Sequence, residues 1–131
     1  METKYATAKE LKETFNFIIE DYNFKIIKEE SLNYGSYVDF IGNGIKLSLG
    51  FDFKDYYFYF LIYKGENTKY SDDAYGKEII TFCDLALKYN IQFDCECLQP
   101  NTIDGYKNAL TCNAQLLKDY GENILSGKVW F

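Results

Sequence analysis

The chain has 131 residues, enough for one domain within the usual span of roughly 50 to 200 and too few to expect a second. Its composition, 47% hydrophobic and 19% aromatic with 13 Tyr and 11 Phe, is rich enough to fill a core without staples. A formal net charge of −6, with 14 lysines as the only cations and neither Arg nor His, works against nucleic acid and anionic membranes as partners and closes His-dependent triads and His-ligated zinc chemistry.

In chain order, Met1 to Glu10 is too polar for a secretory segment, and no later run approaches the length of a membrane span, so the expected location is the cytoplasm. Thr7 and Glu10 have the spacing of a capping box, which predicts a helix start. Leu11, Phe15, Ile18, Ile19 and Tyr22 then form one apolar stripe that ends near Asn23. Four strands are predicted next, at about Phe24 to Glu29, Ser36 to Ile41, Ile45 to Phe53 and Tyr56 to Tyr63. The turn signals Asn33-Tyr-Gly35 and Gly42-Asn-Gly44 and the Lys54-Asp55 link are short enough to make them an antiparallel meander. Lys64 to Gly76 reads as a polar loop that runs into a helix start at Ser71 to Asp73, with the helix at about Ala74 to Tyr89. A last helix is predicted at about Thr102 to Tyr120, followed by a turn between Gly121 and Gly127 and an apolar end, Val129-Trp130-Phe131, that should dock. The expected architecture is a single α+β domain over residues 1–131, a four-stranded antiparallel meander with one N-terminal and two C-terminal helices packed on one face.

The stretch "DYYFYFLIYKG" from Asp55 to Gly65 carries the main site expectation. By parity Phe58, Phe60 and Ile62 belong to the core, whereas Tyr57, Tyr59, Leu61 and Tyr63 face outward, where tyrosine hydroxyls stay wet. Beside them come Lys46, Ser48 and Asp52 of the third strand, with Tyr37 and Asp39 of the second. The plain explanation is that tyrosine is a good strand former whose cross-strand contacts stabilise an open sheet. The functional one is a protein-binding face: Tyr37, Tyr57, Tyr59 and Tyr63, rimmed by Asp39, Asp52, Glu66, Asp72 and Asp73, would suit a basic partner.

The cysteines Cys83, Cys95, Cys97 and Cys112 are expected to be reduced thiols in a cytosol. Cys95-Glu-Cys97 lacks the paired C-x-x-C knuckles of structural zinc, and buried thiols acting as small hydrophobes account for Cys83 and Cys112. The carboxylates show no spacing that marks an acid–base pair, and no phosphate-binding glycine loop is present. No catalytic residue, metal or cofactor is therefore expected. Abundant Lys, Asn, Ile, Tyr and Phe without Arg suits a low-GC bacterial gene.

The capped N-terminal helix, the meander "YGSYVDFIGNGIKLSLGFD" leading into the aromatic strand, and the final "ALTCNAQLLKDYGENILSG" together resemble small immunity proteins of bacterial polymorphic toxin systems and related uncharacterised bacterial proteins. That resemblance implies a cytosolic protein that binds and blocks a cognate toxin through acidic and aromatic surface, with no chemistry of its own. The alternatives are a small-molecule binder or minor enzyme with an aromatic pocket between sheet and helices, and a homodimer that buries the same tyrosines.

Overall fold

The protein is described by a computed structural model over residues 8–54, 57–89 and 105–128. Two short helices open it, α1 (Ala8–Thr14) and α2 (Asn16–Tyr22), where the sequence predicts one; Thr7, its expected cap, lies outside the described residues. The break falls at Phe15, whose backbone leaves the helical region at φ −99°, ψ 15°. Thr14, Phe15, Asn16 and Phe17 are weak helix formers, so little propensity resists the break. Phe15 is fully buried and meets the ring of Phe60 edge-on at 5.9 Å, a contact that favours the break. Asn23 ends α2 in the left-handed region at φ 62°, and the next amide, Phe24 N–H, donates back to the Ile18 carbonyl at 3.2 Å. The Asn23 N–H itself donates to the Ile19 carbonyl at 3.2 Å, the bond of an αL cap, and it explains why the stripe stops there.

The meander follows as β1 (Lys25–Leu32), β2 (Gly35–Gly42), β3 (Ile45–Asp52) and β4 (Tyr57–Lys64), each antiparallel to the next. Asn43 and Gly44 both take positive φ, 52° and 81°, as a two-residue hairpin matched to strand twist requires. A fifth strand, β5 (Ile79–Thr81), corrects the expectation of four and completes the order β1-β2-β3-β4-β5. It occupies the start of the predicted Ala74 to Tyr89 helix. Ser71 does begin a helical turn, accepting from Ala74 N–H at 3.2 Å, but this is one turn of 3-10 helix (Asp72–Ala74) that ends before Gly76 at φ 84°. The β-branched run Ile79-Ile80-Thr81 then prefers to extend along Leu61 to Tyr63. Helix α3 (Phe82–Lys88) starts only after it.

Two further helices, α4 (Tyr106–Tyr120) and α5 (Glu122–Leu125), complete the fold. One core gathers Val38 and Phe40 of β2, Leu47, Leu49 and Phe51 of β3, and Phe58, Phe60 and Ile62 of β4 against Leu11, Leu85, Leu110 and Leu117 of the helices and Phe15 at the α1–α2 break. Tyr106 is wholly buried there, stacked edge-on against Phe51 at 4.7 Å, with its hydroxyl donating to the Asp52 carbonyl at 2.9 Å. Cys112 is disulfide-bonded, which corrects the expectation of four reduced cysteines: the bond is one that an oxidising environment sustains. Cys83 keeps its thiol, and the segments carrying Cys95, Cys97 and the apolar C-terminus lie outside the described residues. Among the described residues no helix is long and apolar enough to cross a membrane.

Candidate functional site

Strand pleating sets the outer face of the sheet, and the register aligns it in rows. Glu30, Tyr37, Gly50 and Tyr59 form one row across β1 to β4; Lys28, Asp39, Ser48, Leu61 and Thr81 form the next across all five strands. Asp52 sits opposite Tyr57 at one end, and Lys46 opposite Tyr63 toward the other. The parity reading of β4 holds: Phe58, Phe60 and Ile62 are buried, while Tyr57 and Tyr59 are 42% and 38% exposed. Their rings meet at 4.8 Å in a tilted edge contact, so they present one connected aromatic surface.

Tyr37 extends that surface because β3 makes room for it. A side chain at Gly50 would collide with the Tyr37 ring, and a Cβ at Gly35 would come within 2.5 Å of its hydroxyl. The ring therefore lies flat across two glycines. Burial, with Asp52, Tyr59, Tyr34 and Glu30 around it, pushes the Tyr37 phenol above its ordinary value of 10.0. Tyr34, in the β1–β2 turn and 59% exposed, belongs to the same patch, although the sequence reading treats it only as part of a turn. A tyrosine placed between two turn formers is the signal that could have marked it.

Tyr63 behaves differently. It is only 5% exposed, because residues 65–70 fold back over its end of the sheet. Lys46 is clamped between the two: its ammonium donates to the Thr68 carbonyl at 2.6 Å and stands 4.2 Å from the Tyr63 ring centre. Glu66 accepts from Gly44 N–H at 3.2 Å, and Gly65 N–H donates to the Gly44 carbonyl at 2.7 Å, which pins the segment to the hairpin. Burial and the nearby Asp39 raise the Tyr63 phenol above 10.0 against a hydrogen bond with Ser48 that lowers it.

The predicted residues therefore divide. Exposed Tyr57 and Tyr59 come together with half-buried Tyr37 and Asp52 in one patch; Asp39 lies in the neighbouring row; Tyr63 is roofed over; Glu66 holds a turn; Asp72 and Asp73 are exposed at the 3-10 turn. Glu30, Asp39 and Asp52 oppose Lys28 and Lys46 on this face, and both lysines are engaged, Lys28 with Glu30 at 3.2 Å and Lys46 with Thr68.

A cleft of about 460 Å³ opens beside the patch. β5 pairs only with Leu61 to Tyr63, so from Tyr57 to Phe60 side chains of both parities reach it. Tyr70 and Tyr75 form the opposite wall, with Thr81, Cys83 and Asn113 toward the helices. The Tyr75 hydroxyl donates to Asp84 and receives Thr81 N–H at 3.3 Å, which fixes its ring against the start of α3. The sequence expectation puts Tyr70 in a polar loop and Tyr75 where that loop runs into a helix; two aromatics in the otherwise polar or small run Lys69 to Gly76 are the available clue. Among the described residues no group of three or more Cys, Asp or Glu comes together as a metal site would require. No family model, no curated protein and no solved structure matches the chain.

Proposed function

We propose that the protein is a binding module for another protein, an immunity-type inhibitor that occludes a cognate bacterial toxin with the outer face of its sheet. The observation that carries this reading is the patch of exposed Tyr34, Tyr57 and Tyr59 with half-buried Tyr37 between them, beside Glu30 and Asp52. Tyrosine supplies large, stiff contact area with a polar tip, which makes it a frequent anchor of binding energy, and a carboxylate rim favours approach by a basic surface. No catalytic step is assigned: the mechanism is steric and electrostatic cover of the partner's active site.

The test is expression alongside the product of the neighbouring gene. A growth-inhibiting product neutralised by this protein in a stable complex is the expected result, and an innocuous metabolic neighbour that forms no complex would sink the reading. In that complex Tyr57→Ala with Tyr59→Ala should weaken binding by about 30-fold or more, the loss of roughly 2 kcal/mol typical of a binding hot spot, while the fold survives. Phe60→Ala serves as the contrast. Its ring is buried, stacked on Phe82 at 4.7 Å and edge-on to Phe15, so its deletion should cost about 3 to 5 kcal/mol in urea unfolding. If the tyrosine pair destabilises as much as Phe60→Ala, the outer face is misassigned.

A further inference from the structure

We propose that the cleft between β4 and the Tyr70–Tyr75 segment is a binding site for a planar, uncharged aromatic molecule, a function beyond protein binding that shares Tyr57 and Tyr59 with the outer patch. Three features select that chemistry. The volume, about 460 Å³, lies within the roughly 300 to 1,000 Å³ of small-molecule sites. The walls are rings: Tyr57, Tyr59 and Phe60 from β4 face Tyr70 and Tyr75 from the loop, and flat aromatic ligands pack against such rings in offset or edge-on geometry. No lysine or carboxylate is among the described lining residues, so an ionised ligand entering there would give up hydration with no opposite charge to meet it.

The polar groups among the described lining residues are neutral. Tyrosine hydroxyls, the Thr81 hydroxyl and the Asn113 side chain can orient a ring bearing one or two hydrogen-bonding substituents without demanding a charge. One wall is also fixed before any ligand arrives. Tyr75 is tied to Asp84 and Thr81, and Thr81 in turn accepts from Asp84 N–H at 3.1 Å, so binding need not order that ring. Asn113 is buried and anchored by its amide N–H to the Ala109 carbonyl at 2.8 Å.

The experiment is a fluorescence titration of the intact protein with N-phenylnaphthylamine, a neutral probe carrying a flat naphthalene ring, and with its anionic counterpart anilinonaphthalenesulfonate. Saturable binding of the neutral probe, with the anion at least about tenfold weaker, is expected. Tyr70→Ala removes a half-exposed ring whose loss the fold tolerates, and it should weaken the neutral probe about three- to tenfold, the value of one aromatic contact. Tyr120→Ala, in a separate groove of about 300 Å³ beside Phe82 and Ile124, should leave binding unchanged. Non-saturable uptake, equal affinity for the two probes, an unchanged titration in Tyr70→Ala, or a loss confined to Tyr120→Ala would each overturn the proposal.

Discussion

Gly50 is the point at which β3 gives up a side chain for the benefit of a neighbour. A strand interior ordinarily loses by carrying glycine, roughly 0.5 to 1 kcal/mol against alanine, yet here any Cβ would strike the Tyr37 ring and come within 3.0 Å of the Ser36 carbonyl oxygen. Gly50→Ala should therefore destabilise by about 1 to 3 kcal/mol, the usual cost of overpacking, whereas in a Tyr37→Ala background the same change should cost distinctly less, only the contact with the Ser36 carbonyl oxygen remaining. Urea unfolding of the four proteins in that cycle measures the coupling, and additive effects would place the Tyr37 ring elsewhere. Tyr63 gives a second prediction at this scale. Burial and Asp39 hold its phenol in the folded protein above the ordinary value of 10.0, so the folded state favours the protonated form. The associated stability is complete below pH 10 and is lost as pH climbs through the raised folded value, because the unfolded chain ionises first. Tyr63→Phe cannot ionise, so melting temperatures followed from pH 8 to pH 11 should fall less steeply for the variant than for the parent.

At the scale of elements the decisive competition lies between residues 71 and 88. Ser71, Asp72 and Asp73 carry a genuine helix-start signal, but the turn they begin stops before Gly76, and the helix that lasts is capped by Thr81, whose hydroxyl accepts from Asp84 N–H. Thr81→Ala should cost about 1 kcal/mol of stability, with Thr81→Ser recovering most of it, as read from thermal unfolding. A loss that serine does not rescue would mean that the methyl group, not the cap, matters. The same region shows what was legible in advance. The inward alternation of Ile45, Leu47, Leu49 and Phe51 and the hairpin Asn43-Gly44 placed the second to fourth strands within a residue at each end, because period-two burial and positive φ are local, whereas the first strand, without that alternation, runs three residues past its expected end to Leu32. β5 was not legible: Ile79-Ile80-Thr81 fits a helical stripe equally well, and only the presence of Leu61 to Tyr63 alongside decides for a strand. The site followed the same rule. Parity on β4 correctly sorted Tyr57 and Tyr59 outward, but the roof over Tyr63 depends on where residues 65–70 return, a non-local outcome that no spacing records.

For the whole molecule, the joint that closes the fold is one asparagine. Asn43 takes positive φ in the β2–β3 hairpin, and its side-chain amide donates at 3.0 Å to the Tyr22 carbonyl, at the end of α2, and at 2.8 Å to the Leu125 carbonyl, at the end of α5. One side chain therefore satisfies open carbonyl ends of two helices, at residues 22 and 125, and it does so from the tip of the sheet they cover. The C-terminal turn is fitted closely to the same spot: Gly127, at φ 76°, brings its Cα so near that an added Cβ would lie 2.6 Å from the Asn43 carbonyl oxygen. Asn43→Gly keeps the backbone conformation and removes only the side-chain bonds, so it isolates this joint from turn strain. It should cost about 1 to 3 kcal/mol, because the Leu125 acceptor is part-buried and would be left without that donor. The loss should be local in kind. Hydrogen exchange is expected to quicken across α5 and residues 126–128, and in the last turn of α2, before the β3–β4 ladder changes, since that ladder draws its protection from the buried core rather than from the hairpin tip. Uniform loss of protection across the sheet would instead make Asn43 part of the global folding unit.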